Sequence, residues 1–421
     1  MSETTARDGR LQQLRRQYFA LHPIRLINFG TEIGHGEEDS LYKHQDWIYQ
    51  HIFNAPFRPA NDYQRKFLKA LISVIEEDLR SVDAVAEEWE IDDRLLDRYS
   101  ELLVESSATS TNLTPDPSFK TYLYGNNDKE NSITLFEAQT TIEAGSTGLR
   151  TWTASLFLAE ALLHRPSLLI RPELSNTTTI RQTAFPPILE LGAGTGFLSI
   201  FLSQLGCPKI WSSDIGDEEA TLKDNVDIVD RTGGEEEAEY DASEAHIDAS
   251  DPQRQYAKII SQTTRRGPLD GLIANLRLNQ IEEAGQIVPL PLDWLHSNEE
   301  DGNAGKRDAM VKLSQSLPAD LTILGTDVIY DPDLVNPLVS TIELFLRYPP
   351  PPEGEGKSRA ALIAATVRNK DTLQAFKDKC LTMSLRLEAI DMRRKNVPTV
   401  FWNAKTWEGS EVELMRVTRN V

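Results

Sequence analysis

The chain has 421 residues, 40% hydrophobic and 26% charged, and its 44 Lys and Arg against 65 Asp and Glu leave a net charge of −21. That length holds two or three domains with cores of their own, and the charge argues against binding a phosphate backbone, which takes clustered Lys and Arg. No apolar run nears the ~20 residues of a membrane span, the N-terminus lacks the apolar core of a secretory signal, and Cys207 and Cys380 are too few for a disulfide scaffold or a Cys-based zinc site. The expected setting is the cytoplasm, and the expected partners are small molecules or proteins.

In chain order, Leu11 to Leu21 and Tyr42 to Phe53 have helical character. Between Tyr63 and Arg80, Phe67, Leu68, Leu71, Ile72, Ile75 and Leu79 fall on one helical face with charges opposite. A shorter pattern of the same kind runs from Ile91 to Glu105. Residues 1–115 are therefore expected to form a helical region of their own. Ser106 to Ser118 has the Ser/Thr/Pro composition of a linker. Beyond it, Ile133, Leu135 and Phe136 suggest a strand, Gly145 to Gly148 a turn, and Trp152 to Leu163 a helix.

From Pro186 strands and helices alternate, which predicts a parallel sheet covered on both faces. The strands are PPILEL, Lys209 to Asp214, Ile287 to Trp294, Leu321 to Tyr330 and Arg359 to Asn369. Helices are expected at Phe197 to Leu205, Leu334 to Leu346 and Thr372 to Met383, and antiparallel edge strands at Leu385 to Asp391 and Val412 to Thr418. Residues 233–268 form an acidic, low-complexity insertion, with eight acidic and no basic residues in Gly233 to Asp251 alone. Residues 298–318 form a second, milder polar insertion.

The strongest chemical signal is Glu190-Leu-Gly-Ala-Gly-Thr-Gly196, directly between a strand and a helix. Glycines at such a turn let the backbone approach a ligand where a Cβ would collide. Phe197 stands where a dinucleotide fingerprint has glycine or alanine, so pyrophosphate recognition is not demanded. Asp214 ends the next strand, where an acid accepts hydrogen bonds from ribose hydroxyls; its plainer role is a helix cap or surface acid. The histidines form no HExxH, and no GxSxG or Cys–His arrangement appears, so neither metal nor acyl-enzyme chemistry has support.

The glycine turn with Asp214 resembles the seven-stranded S-adenosylmethionine-dependent methyltransferases. Leu-Gly-Thr-Asp-Val-Ile-Tyr, Leu324 to Tyr330, adds the Asp-x-x-Tyr motif of the group that methylates mainly protein lysines. TLFEAQTTIEAGSTGLRTW, Thr134 to Trp152, is similar to the signature of the elongation factor 2 lysine methyltransferases. The resemblance implies a Rossmann-like seven-stranded α/β domain over 116–421 behind the helical region. It also implies S-adenosylmethionine as cofactor, elongation factor 2 as substrate, a monomer, and neither nucleic acid nor membrane as partner. By position it places cofactor contacts on Trp152, Gly192, Ala193, Gly194, Asp214, Trp294 and Thr326, and catalytic roles on Asp327 and Tyr330. Thr326 departs from the alanine common there, which a main-chain contact tolerates. Trp294 would flank the adenine, with Asp293 accepting from its amino group, and Trp152 would cover the methionine end; ordinary core packing is the alternative for either ring.

Asp327 is expected either to orient the incoming amine or only to fix its loop, and Tyr330 either to contact the amine or to pack in the core. Glu143 is either a site residue or a capping acid. Asp214, Asp327, Asp331 and Asp333 would give the strand ends an acidic rim that attracts a lysine and a sulfonium. The same fold would serve methylation of another protein or of a small molecule, or a non-catalytic cofactor-binding module.

Overall fold

The computed structural model describes residues 3–29, 40–81, 90–108, 116–126, 129–140, 148–169, 185–216, 267–282, 285–297, 304–348, 358–392, 400–401 and 411–420. The chain divides into two compact units, one of Met1–Thr141 with Asp251–Tyr256 and Thr399–Glu408, the other of the remainder.

The first unit holds helices α1 (Glu3–Phe19), α2 (Gln45–Ile48), α3 (Asn61–Ser81) and α4 (Asp93–Ala108), and an antiparallel hairpin of β1 (Ser118–Asn126) and β2 (Lys129–Glu137). The apolar face of α3 behaves as its spacing predicts: Phe67, Leu68, Leu71 and Ile75 are fully buried. Tyr18 packs edge-on against Phe67 and Phe53 in the same core. The boundary expected at residue 115 lies instead near 141, because the hairpin belongs with the helices. Leu123 joins their core, Arg15 pairs with Glu130 at 2.6 Å, and Arg16 donates to the Gly125 carbonyl at 2.8 Å.

The second unit is a seven-stranded sheet in the order β5–β4–β3–β6–β7–β9–β8. Its strands are β3 (Ile188–Leu191), β4 (Ile210–Asp214), β5 (Ile287–Pro291), β6 (Thr322–Thr326), β7 (Ala360–Thr366), β8 (Leu385–Ile390) and β9 (Val412–Arg419). The first five are parallel, and β9 runs antiparallel between β7 and β8. The C-terminal strand is thus interior, not an edge, consistent with its buried Leu414, Met415 and Val417. Helices α5 (Thr153–His164), α6 (Phe197–Leu205), α7 (Pro268–Leu278), α8 (Ala304–Ser316), α9 (Pro332–Arg347) and α10 (Lys370–Thr382) accompany it.

Three local differences from the sequence reading have physical causes. The apolar run Leu321 to Tyr330 stops as a strand at Thr326, because Asp327 takes a left-handed φ of +56°. Residues 304–316 of the polar insertion are helical, since Met310 and Leu313 give α8 a buried face. The low-complexity stretch ends at α7, with Pro268 in its first turn and Leu269, Leu272 and Leu276 buried; residues 217–266 lie outside the described residues. Sheet order reverses at β3, which lies between β4 and β6, and a crevice at such a switch point is where open α/β sheets bind ligands.

Arg359, just before β7, is buried and ties two helix ends together. Its guanidinium donates to Ser314 O, Leu317 O, Pro318 O and Phe345 O at 2.6–3.0 Å, and to Tyr348 O and Ser314 Oγ. These acceptors lie at or just past the C-terminal ends of α8 and α9, where the helix dipole favours a cation. Burial pulls its pKa down to about 10, so it remains charged at neutral pH. Arg359→Leu is expected to destabilise the second unit by about 3 kcal/mol or more, since several buried carbonyls lose their donor. Urea unfolding followed by circular dichroism measures it.

Candidate active site

The glycine turn joins β3 to α6. Gly192, Gly194 and Gly196 have φ of +65°, +54° and +80°, a region that side chains rarely adopt. A Cβ on Gly192 would lie 2.9 Å from Val328 Cγ1 and 3.3 Å from the Trp294 ring, and one on Gly194 would lie 2.9 Å from the Gly148 carbonyl oxygen. The turn is further held by its neighbours. Ala193 donates its N–H to Ser213 O at 2.9 Å. The Thr195 hydroxyl is 2.7 Å from that of Thr151, and Asn275 Nδ2 donates to Thr195 O at 3.0 Å. Asp214, at the end of β4, accepts from Gly194 N at 2.7 Å and Ile215 N at 2.8 Å. Burial raises its pKa, while these two N–H groups hold it down. A carboxylate has about four lone-pair sites, so two remain for a ligand.

The nine residues to which the resemblance gives cofactor contacts or catalytic roles line one cavity of about 700 Å³: Trp152, Gly192, Ala193, Gly194, Asp214, Trp294, Thr326, Asp327 and Tyr330. They arrive from five places along the chain. Trp152 precedes α5, Asp214 ends β4, Trp294 opens a 3-10 turn after β5, and Thr326 ends β6. Asp293, Asp331, Ile215 and Arg150 also line the cavity. Glu143 lies outside the described residues.

Asp327 and Tyr330 differ sharply. Tyr330 is 43% exposed at the cavity, not packed in the core. Asp327 is buried, and protein donors engage both its oxygens. Oδ1 accepts from Thr366 N at 2.8 Å, and Oδ2 accepts from Ala154 N at 3.0 Å and Thr366 Oγ1 at 3.0 Å and pairs with Arg368 at 3.1 Å. With four donors on about four lone-pair sites, this geometry serves the fixing of the loop. Ala154 is in the first turn of α5, whose cap residue, Trp152, supplies no side-chain acceptor. Asp327 thus caps that helix from 173 residues away. Arg368 also lies over the Trp152 ring, 4.4 Å from its centroid, with Arg150 at 5.8 Å. Neither arginine, nor Thr151, Thr366 or Asn275, was marked by sequence, since only the folded chain brings them to the turn and to Asp327.

The lysine methyltransferase family model matches residues 129–242, a span that includes the glycine turn and Asp214. Protein-lysine N-methyltransferase EFM3 from Chaetomium thermophilum is 26% identical over 351 residues, 80% of this chain and 78% of its own. Its counterpart from Saccharomyces cerevisiae is 22% identical over 71% of this chain and 66% of its own. The chain is similar to this group of protein-lysine methyltransferases. Protein-lysine N-methyltransferase EEF2KMT from Mus musculus is 29% identical over 153 residues, 36% of each chain. Among solved structures, precorrin-6y C5,15-methyltransferase from Geobacter metallireducens aligns at 11% identity over 56% of this chain and 80% of its own, with a TM-score of 0.26, too low to locate a site.

The family's cofactor is S-adenosylmethionine, and the cavity suits it. The turn brings the backbone of Gly192, Ala193 and Gly194 to the cavity wall. Asp214 offers acceptors for ribose hydroxyls, and Trp294 and Ile215 offer apolar surface for the adenine. In this methyltransferase Gly194→Ala combines a disfavoured backbone angle with a collision against a backbone oxygen. S-adenosylhomocysteine affinity, measured by calorimetry, is expected to fall at least tenfold while the circular dichroism spectrum is kept.

Glu190, in the same motif, points away from ligand chemistry. It is buried, and the Ser199 hydroxyl, itself 2.8 Å from that of Ser212, donates to it. Burial pushes its pKa to about 8; the Ser199 bond opposes this and the nearby Asp214 charge adds to it. A carboxyl with a raised folded-state pKa stabilises the fold fully below its unfolded value of 4.5, and the contribution is lost as pH rises to about 8. The isosteric Glu190→Gln removes this loss. Its melting temperature relative to wild type is therefore expected to climb between pH 5 and 8 and to level off above, as thermal melts across that range will register.

Proposed function

We propose that the protein methylates a lysine of translation elongation factor 2. The reading rests on the kinship with the mouse protein named EEF2KMT and on the resemblance of Thr134 to Trp152 to that subgroup's signature. The observation that carries the amine's approach is Tyr330, an exposed phenol on a cavity that otherwise suits the cofactor. Bound there, S-adenosylmethionine supplies an electrophilic methyl group on a sulfonium. The chain's own task is to bring up a lysine nitrogen with its lone pair free and in line with that methyl.

Free lysine has a pKa near 10.4, so the amine arrives as an ammonium. The carboxylates of Asp293 and Asp331 at the cavity attract it from a distance. Entry into a partly apolar cavity then disfavours the charged form, and the proton leaves to solvent. Tyr330 orients the neutral nitrogen through its hydroxyl or flanks the lysine stem with its ring. Asp327 has its acceptors engaged within the protein and acts by holding the loop that presents Tyr330. Positioning of this kind supplies much of the rate of a displacement that needs no strong base.

The test is incubation of the purified protein with isotopically labelled S-adenosylmethionine and purified elongation factor 2, followed by peptide mass spectrometry. Label on a single lysine of the factor is expected. Absence of label from the factor, with the same preparation labelling other proteins or small metabolites when cell lysate is added instead, would remove the factor as substrate. Tyr330→Phe is expected to lower kcat about tenfold if the hydroxyl orients the amine and to leave the cofactor KM within twofold. An unaltered kcat in Tyr330→Phe with a large loss in Tyr330→Ala would assign the role to the ring.

A further inference from the structure

Arg368 follows β7 by two residues and makes two contacts that belong to different halves of the site. Its guanidinium carbon is 4.4 Å from the centroid of the Trp152 ring, well inside the ~6 Å range over which a cation is held on an indole face. Its Nη2 is 3.1 Å from Asp327 Oδ2. Arg368 is not among the residues lining the cavity, whereas Trp152 and Asp327 are. The arginine therefore reaches a bound ligand only through them. Its side chain is 41% exposed, so the fold does not depend on burying it.

We propose that Arg368 is a positioning residue that holds Trp152 as one wall of the cofactor cavity, with Asp327 fixing the guanidinium in place. A planar guanidinium suits both kinds of partner, since its face can lie on an aromatic ring while its N–H edge meets a carboxylate. Trp152 opens α5 without a side-chain cap of its own, and the Asp327 bond to Ala154 N anchors the same stretch two residues later. Arg368 and Asp327 thus pin the ring and the helix start together. Arg150, 5.8 Å from the ring centroid, lines the cavity itself, so its replacement would not separate a direct contact from a positional one. Arg368 permits that separation.

The inference rests on the reading that this cavity holds the cofactor, and the experiment keeps the two apart. S-adenosylhomocysteine binding is measured by calorimetry for wild type, Arg368→Ala, Arg368→Lys, Trp152→Phe and the double variant Arg368→Ala with Trp152→Phe, with Gly194→Ala as the test of the cavity. Arg368→Ala is expected to weaken binding about tenfold, with a melting temperature near that of wild type. Arg368→Lys, which keeps the charge but not the flat face, is expected to recover part of the loss. In the Trp152→Phe background the same Arg368→Ala change should cost markedly less, because a double-mutant cycle reports contact between the two side chains. In turnover, the loss should fall on the cofactor KM more than on kcat.

Wild-type affinity in Arg368→Ala would overturn the proposal, as would an equal loss in both backgrounds. If Arg368→Ala fails to fold, Arg368→Lys in the same two backgrounds closes the cycle with the same criteria. Unchanged affinity in Gly194→Ala would instead overturn the assignment of the cavity to the cofactor. Loss in Gly194→Ala with none in Arg368→Ala would defeat the role of Arg368 alone.

Discussion

The active end of this sheet is organised by one buried carboxylate. Asp327 sits at the point where β6 stops, in a left-handed conformation that costs a side-chain-bearing residue about 1 kcal/mol. What offsets the strain is the set of donors that converge on it: a strand end (Thr366), a helix start (Ala154) and a cation (Arg368). Hydrogen bonds to a charged group are worth about 1.5–3 kcal/mol each, so the conformation is well supported. Its consequence is architectural. Three segments distant in sequence are fastened within one side chain's reach, and Trp152 and Tyr330 are presented from the elements so joined.

The glycine turn is fastened to the same place from the other side. Val328, the residue after Asp327, occupies the space that a Cβ on Gly192 would need, and Trp294 closes on the same spot from the end of β5. The glycine turn and the Asp-x-x-Tyr stretch, which read as separate motifs along the chain, are therefore in contact. Gly192 is glycine as much for the packing of Val328 and Trp294 as for a ligand. A similar economy holds at Asp214, whose carboxylate closes the turn through Gly194 N while keeping lone pairs toward the cavity. Each of these residues builds the cavity wall before it meets anything inside.

The legible part of the sequence was what depends on local pattern. Apolar runs marked the five parallel strands, helical spacing marked α3, and the strand–glycine–helix order located the cavity. What escaped were features fixed by distant partners. The strand reading of Leu321 to Tyr330 overran Thr326 because Val328 and Ile329 are as apolar as the strand before them; only the donors around Asp327 break it. The C-terminal strand looked like an edge, since nothing in VELMRVTR states that β8 will lie outside it. The hairpin of β1 and β2 was assigned to the wrong unit because the ion pair of Arg15 with Glu130 spans 115 residues. Arg359 and Arg368, two of the chain's 44 Lys and Arg, carry no local pattern that sets them apart.

The pairing of Asp327 also bears on how an acidic protein suits an amine nucleophile. A net charge of −21 draws a lysine in, but a bare carboxylate beside the amine would stabilise the ammonium and keep its lone pair occupied. Long-range attraction and short-range proton retention pull in opposite directions. With Arg368 on Asp327 Oδ2, the aspartate of the Asp-x-x-Tyr motif is paired with a cation, while Asp293 and Asp331 line the cavity without an arginine of that kind among the described residues. A lysine is then attracted on approach and not held as a cation by Asp327 at the end of its path, where a cationic sulfonium further disfavours a second positive charge. On this view the motif's aspartate serves the reaction by having its charge already answered.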